Sequence, residues 1–125
     1  MDTPTCLKYT TDHEWLKVSG NVACIGITDF AQNELGDIVF VEFPSLNDSF
    51  SKGDDFGTIE AVKTVADLFM PISGKILEIN TELDNNPHLI NTDPYGNGWI
   101  AKISIKNSLE LKDLLSSSEY RDSIK

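Results

Sequence analysis

Apolar and polar positions alternate along this chain in short runs, with turn residues between them, so strands dominate the pattern. Val22 to Thr28 is a β-type run closed by Thr28-Asp29, both good helix caps. Asp29 to Leu35 reads as a short helix. Asp29 with Gln32 three residues on has the form of a capping box, and Gly36 fits the left-handed stop. Ile38 to Phe43 is a strand by its β-branched and aromatic content, ended by Pro44. Residues 50–55 read as a turn, Phe56 to Leu68 as a long extended stretch, and Pro71 to Gly74 as a second turn. Lys75 to Asn80 alternates as a strand should. Asn86 is placed to cap a short helical turn with Pro87 at its first position. Residues 93–98 are a loop by composition, and Trp99 to Ile105 alternates again. From Asn107 the period becomes helical: Asn107 caps, Glu110 follows three on, and Leu111, Leu114 and Leu115 fall at i, i+3, i+4. Ser116-Ser117-Ser118 interrupt this helix, so a second one is expected from Glu119 to about Ile124.

Many short strands separated by turns predict a mainly β sandwich or small barrel, with the helices peripheral. No βαβ alternation supports a parallel α/β sheet. No linker or low-complexity segment divides the 125 residues. One domain is expected over 1–125, with a β core at about 7–106 and a helical segment at about 107–125.

Charge narrows the function classes. Twenty acidic against ten basic side chains give −10, the wrong sign for nucleic acid or an anionic membrane surface. It suits a soluble monomer steered toward basic protein patches. No apolar stretch is long enough to span a membrane, and the first residues resemble neither a secretory signal nor a transit peptide, so a cytoplasmic location is expected. Cys6 and Cys24 are far apart, and His13 and His88 have no ligand spacing, so no metal site is predicted. Cys24, inside Val22-Ala23-Cys24-Ile25, reads as a small core residue. No phosphate loop, nucleophile elbow or zinc-protease motif is present.

One lysine stands out. Thr58 to Leu68 is β-prone on both sides of Lys63, without Gly or Pro, yet longer than a typical strand of about 5–6 residues. A tight hairpin near Val62-Lys63-Thr64 resolves this and puts Lys63 at a protruding tip, with Val62 and Val65 beside it. Such a tip suits a covalent attachment point. On residue types alone, an ordinary solvated strand lysine is the weightier alternative.

The ordered series of motifs changes that weighting. It begins with Lys8-Tyr9-Thr10-Thr11-Asp12-His13-Glu14-Trp15, Ile25-Gly26-Ile27-Thr28-Asp29-Phe30-Ala31-Gln32 and Leu35-Gly36-Asp37-Ile38-Val39-Phe40-Val41-Glu42. Gly57-Thr58-Ile59-Glu60-Ala61-Val62-Lys63-Thr64, Asp67-Leu68, Pro71-Ile72-Ser73-Gly74 and Asn91-Thr92-Asp93-Pro94-Tyr95 follow, then Gly98-Trp99 and Glu119-Tyr120. From about Leu7 to Tyr120 the chain resembles the H-protein family of the glycine cleavage system, within the lipoyl/biotinyl-domain superfamily. Biotin carriers typically present Met-Lys-Met, and 2-oxoacid dehydrogenase lipoyl domains Asp-Lys-Ala. Val62-Lys63-Thr64 is closer to the H-protein pattern Glu-Ser-Val-Lys-Ala. Ala61, Thr64 and Asp12 depart from residues frequent in that family, which are Ser, Ala and Ser.

The resemblance implies a lipoyl-domain-like barrel-sandwich hybrid and a carrier with no catalytic residue. Lipoic acid is joined to Lys63 as an amide. Glycine decarboxylase (P protein) leaves an aminomethyl group on the arm. Aminomethyltransferase (T protein) passes the methylene to tetrahydrofolate and releases ammonia. Dihydrolipoyl dehydrogenase (L protein) reoxidises the dithiol with FAD and NAD. Lipoate-attaching enzymes are further partners. Glu14 and Asp67 match cleft positions suited to a cationic amine, and Asp12 is a third candidate by position. Glu60, with Asp67, is placed to serve recognition by the lipoylating enzyme or to contact the arm. His13 and Trp15 read as packing or hydrogen-bonding residues, and His88 as a surface histidine. Two alternatives stay open: an H-like donor relaying lipoyl groups to other proteins, and an unlipoylated binding module. A processed organellar form would work in the mitochondrial matrix.

Overall fold

The computed structural model describes residues 2–124. Among these residues nine strands form two antiparallel sheets that face each other as a sandwich and do not close into a barrel. The larger sheet holds β1 (Lys8–Tyr9), β2 (Glu14–Ser19), β3 (Val22–Ile27), β9 (Ala101–Ser104), β8 (Gly74–Ile79) and β5 (Ser49–Phe50), in that spatial order. The smaller holds β4 (Ile38–Glu42), β6 (Asp55–Ala61) and β7 (Val65–Phe69). The long apolar stretch therefore divides at 62–64 into the expected hairpin.

Strand alternation assigns the two faces of the larger sheet. Leu16, Ile25, Ile76 and Ile103 turn inward to meet Ile38, Val41, Ile59 and Leu68 of the smaller sheet. Trp15, next to Leu16, joins a second cluster with Leu7, Tyr9 and Tyr120. There the Trp15 ring lies flat over Gly26, where an added Cβ would come within 2.7 Å of the indole. Trp15 Nε1 donates to Pro94 O at 3.0 Å, so its buried polar atom is satisfied.

The helices depart from the pattern in instructive ways. Helix α1 spans Asp29–Leu35, but Thr28 is its cap, accepting from Ala31 N–H at 3.2 Å. Asp29 instead accepts from the Gln32 amide at 2.8 Å, a side-chain pair and not a capping box. Gly36 ends the helix at φ +80, ψ −156, a conformation reserved for glycine. The turn expected at Asn86-Pro87 lies between two short helices, α2 (Glu82–Asn85) and α3 (Leu89–Thr92). Pro87 O accepts from Ile90 N–H, whereas the Asn86 side chain makes no cap.

After Asn107 the expected α-helix is a 3₁₀ helix, Ser108–Asp113, capped by Asn107. Glu110 turns away from that cap to accept from Ser73 N–H at 2.7 Å and Ser73 Oγ at 3.0 Å. Leu115 leaves the helix and exchanges two backbone hydrogen bonds with Tyr9. The serines do not interrupt a helix; they begin one. Ser116 and Glu119 form a capping box, and α4 runs Ser117–Ser123, starting earlier than Glu119. Cys24 is a second correction. It faces outward from β3 and is only half-buried against the aromatic cluster, because Ala23 and Ile25 take the core-facing positions.

Among the described residues no helix is long and apolar enough to cross a membrane. His88 is exposed, and His13 and Trp15 make the packing and hydrogen-bond contacts expected of them.

Candidate functional site

Lys63 stands exposed at the tip between β6 and β7. Ala61 N–H donates to Thr64 O at 2.8 Å, closing the turn, and Val62 N–H donates to Asp37 O at 2.9 Å, tying it to the start of β4. None of residues 61–64 has a positive φ, so ordinary L-residues make this turn and no Gly or Asn announces it. Val62 is 74% exposed and Val65 59%, leaving the approach to the amine open. The lysine stem runs over Gly36, where an added Cβ would lie 3.4 Å from Lys63 Cε.

Gly36 is itself held by Asn91. The Asn91 amide donates to Gly36 O at 2.9 Å and Gln32 Oε1 at 3.0 Å, while Asn91 Oδ1 accepts from Ile38 N–H at 2.9 Å. One side chain thus fastens the end of α1 to the start of β4, the two elements beneath Lys63.

On the other side of α1 lies a cleft of about 360 Å³. Ile27, Ile59 and Leu68 form its apolar floor, and Phe30 and Leu35 of α1 one wall. Asp12, His13, Glu14, Glu34 and Asp67 supply its polar groups. Asp67 and Asp12 are exposed, whereas Glu14 is 3% exposed. Glu14 Oε2 accepts from Phe69 N–H at 2.8 Å, and Thr10 Oγ1 reaches Glu14 Oε1 at 3.4 Å. Burial pushes the Glu14 carboxyl up to about 8; the Phe69 hydrogen bond opposes this and the nearby Asp12 adds to it. With only protein groups around it, Glu14 therefore holds its proton near neutral pH, where the sequence suggested an ionised carboxylate.

The structure brings Glu14, Asp12 and Asp67 together and leaves Glu60 apart. Glu60 is exposed on β6, opposite Val65 and Phe40, and does not line the cleft. Glu34 was not legible as a site residue, although Phe30 and Glu34 lie four apart on one face of α1. Among the described residues no group of three or more His, Cys, Asp or Glu side chains is arranged to hold a metal ion.

The profile of the family described as Glycine cleavage H-protein matches residues 7–125. The chain belongs to this family. The glycine cleavage system H protein of Carboxydothermus hydrogenoformans is 54% identical over 117 residues, covering 94% of this chain and 90% of the relative. That of Staphylococcus epidermidis is 51% identical over 124 residues, 99% of this chain and 98% of the relative. Among solved structures, the crystal structure of a glycine cleavage system H protein from Mycobacterium marinum superposes with a TM-score of 0.86 at 37% identity, covering 97% of this chain and 98% of that one. In this H-protein family member, the lysine tip, the Asn91 clamp and the acidic cleft all lie within the matched span.

Proposed function

We propose that residues 1–125 work as one carrier domain, without catalytic residues of its own, that takes lipoic acid as an amide on Lys63. It serves the P, T and L proteins of glycine cleavage and the enzymes that attach lipoate, as a cytoplasmic monomer. The observation that carries this reading is an exposed lysine on a pinned hairpin, its stem over Gly36, one residue from the cleft wall at Leu35.

When bound, the lipoyl group supplies a disulfide able to take up and release the aminomethyl group of glycine. The chain's own residues do the rest. The turn bonds at Ala61 and Val62 fix the point from which the arm swings. Ile27, Ile59 and Leu68 exclude water from the cleft floor, which protects a hydrolysable cargo. Glu14 and Asp67 are placed to bind an ammonium, with Asp12 at the rim. An arriving ammonium favours the ionised form of Glu14, whose proton then passes to solvent water. Glu60, outside the cleft, is left for recognition by the lipoylating enzyme.

The test is reconstitution. Lipoylated protein mixed with P, T and L proteins, glycine, tetrahydrofolate and NAD should give glycine-dependent NADH, and unmodified protein none. Lipoate transfer to other acceptor proteins without NADH formation would make it a relay. Failure to accept lipoate would make it a binding module.

A further inference from the structure

The Tyr120 ring is fully buried, and its hydroxyl meets His13 Nδ1 at 2.9 Å and Thr28 Oγ1 at 2.7 Å. Thr28 Oγ1 already accepts from Ala31 N–H. Its own proton must therefore go elsewhere, and among the described hydrogen bonds the Tyr120 oxygen is its sole acceptor. Thr28 is 0% exposed, so water does not offer an alternative. If Thr28 donates to Tyr120, the Tyr120 proton is directed to His13 Nδ1. Nδ1 is then an acceptor and the ring proton sits on Nε2. The reverse order, Nδ1–H to Tyr120 to Thr28, strands the Thr28 proton in the interior. A doubly protonated ring forces that same reverse order.

The pose of His13 is equally constrained. It sits at φ +66, its N–H donates to Thr10 O at 3.2 Å and its carbonyl accepts from Thr28 N–H at 3.0 Å. Its ring packs 4.9 Å from Phe30. Among the described residues it is also the only cleft-lining side chain able to carry a positive charge. Among the described residues, the other titratable groups lining the cleft are all acids: Asp12 and Glu14 on its own segment, Glu34 from α1 and Asp67 from β7, with Glu14 holding its proton near neutral pH. Burial holds the His13 ring below its ordinary pKa, against the opposing pull of Asp12 and Glu34. A Tyr120 proton aimed at Nδ1 acts in the same direction as burial, because it bonds only to the neutral ring.

We propose that Tyr120 is a positioning residue that holds His13 as the neutral, Nε2-protonated tautomer, so that no cation shares the cleft with the cationic cargo. This use of the tautomer rests on the carrier reading; the tautomer itself does not. Long-range ¹H–¹⁵N correlation on unmodified wild-type protein at pH 7 should show His13 Nδ1 unprotonated and Nε2 protonated. Tyr120→Phe keeps the aromatic ring stacked on Tyr9 (4.8 Å between centroids) and removes the hydroxyl. It should give mixed tautomers with a doubly protonated, cationic fraction at pH 7 and, on lipoylated protein, shorten the lifetime of the bound aminomethyl cargo roughly 3- to 10-fold, the scale of one lost hydrogen bond. His13 protonated on Nδ1 in the wild type, or a wild-type tautomer in the variant, overturns the proposal. So does a changed tautomer with an unchanged cargo lifetime. Should the variant not fold, the wild-type spectrum alone decides. A protein that never accepts lipoate would refute the carrier reading and leave the tautomer result intact.

Discussion

Glu14 on β2 accepts the backbone N–H of Phe69 on β7 at 2.8 Å, joining the two sheets through one buried carboxyl. The bond gives the Phe69 N–H a partner, but it holds an acid that is almost wholly buried. The ionisation of Glu14 is thereby tied both to folding and to what enters the cleft.

The tie to folding has a definite sign. Glu14 is raised from 4.5 to about 8 in the folded protein. Below 4.5 both states are protonated and its contribution is fully present; between 4.5 and 8 only the unfolded state ionises, so stability falls as pH rises. The slope is at most about 1.4 kcal/mol per pH unit. Glu14→Gln, neutral at every pH, should match the wild type within about 1 kcal/mol at pH 5 and exceed it by ~2–4 kcal/mol at pH 8. Thermal or denaturant melts at both pH values check this. A constant difference between the two proteins would mean that Glu14 is ionised in the fold.

The tie to cargo is tested in the loaded state. Glu14→Gln/Asp67→Asn should leave lipoylation intact, since that reaction reads the hairpin. Release of ammonia from aminomethyl-loaded protein, measured without T protein, should quicken by ~1–3 kcal/mol of lost charge-assisted contacts, roughly 5- to 150-fold. Asp12, in the same cleft, limits the loss in either single variant. Equal rates would reduce the two acids to structural and surface roles.

Asn91 is predicted to matter more than its half-buried position suggests. Asn91→Ala strands Gly36 O and Ile38 N–H beneath the Lys63 stem. A cost of ~2 kcal/mol is expected, or roughly 6–10 °C in Tm for a domain of this size. Calorimetry tests it. A Tm within about 2 °C of wild type would show that other groups hold α1 to β4.

The sheets and the lysine tip were legible because strand alternation and strand length are local signals. The run from Thr58 to Leu68 was too long for one strand, and the hairpin followed. Strands β1, β2 and β5 were not read: two are two-residue strands, and the outer half of β2, Lys17-Val18-Ser19, is exposed without alternation. The C-terminal leucines misled for a physical reason. Leu115 satisfies its backbone on Tyr9, more than a hundred residues away, which no periodicity records. Asp12, Glu14 and Asp67 were found through motif resemblance, but neither Glu34 nor the state of Glu14 was, because burial depends on how β2 and β7 close over it. The Asn91 clamp and the His13–Tyr120–Thr28 chain are likewise long-range, and their residue types alone point to nothing.

The proposed carrier role depends on Lys63 as the attachment point. Arginine at this exposed tip should preserve the fold, as surface substitutions usually cost within about 0.5 kcal/mol, but a guanidinium does not serve as an acyl acceptor. The most direct measurement is intact-protein mass spectrometry with peptide mapping, on wild type and Lys63→Arg produced with a lipoate-attaching enzyme. The wild type should gain one lipoyl group on Lys63, taking the formal charge from −10 to −11 as one ammonium becomes an amide. Lys63→Arg should gain none while keeping the wild-type circular dichroism. A lipoyl group on the Arg variant, or on any other lysine of the wild type, would contradict the account.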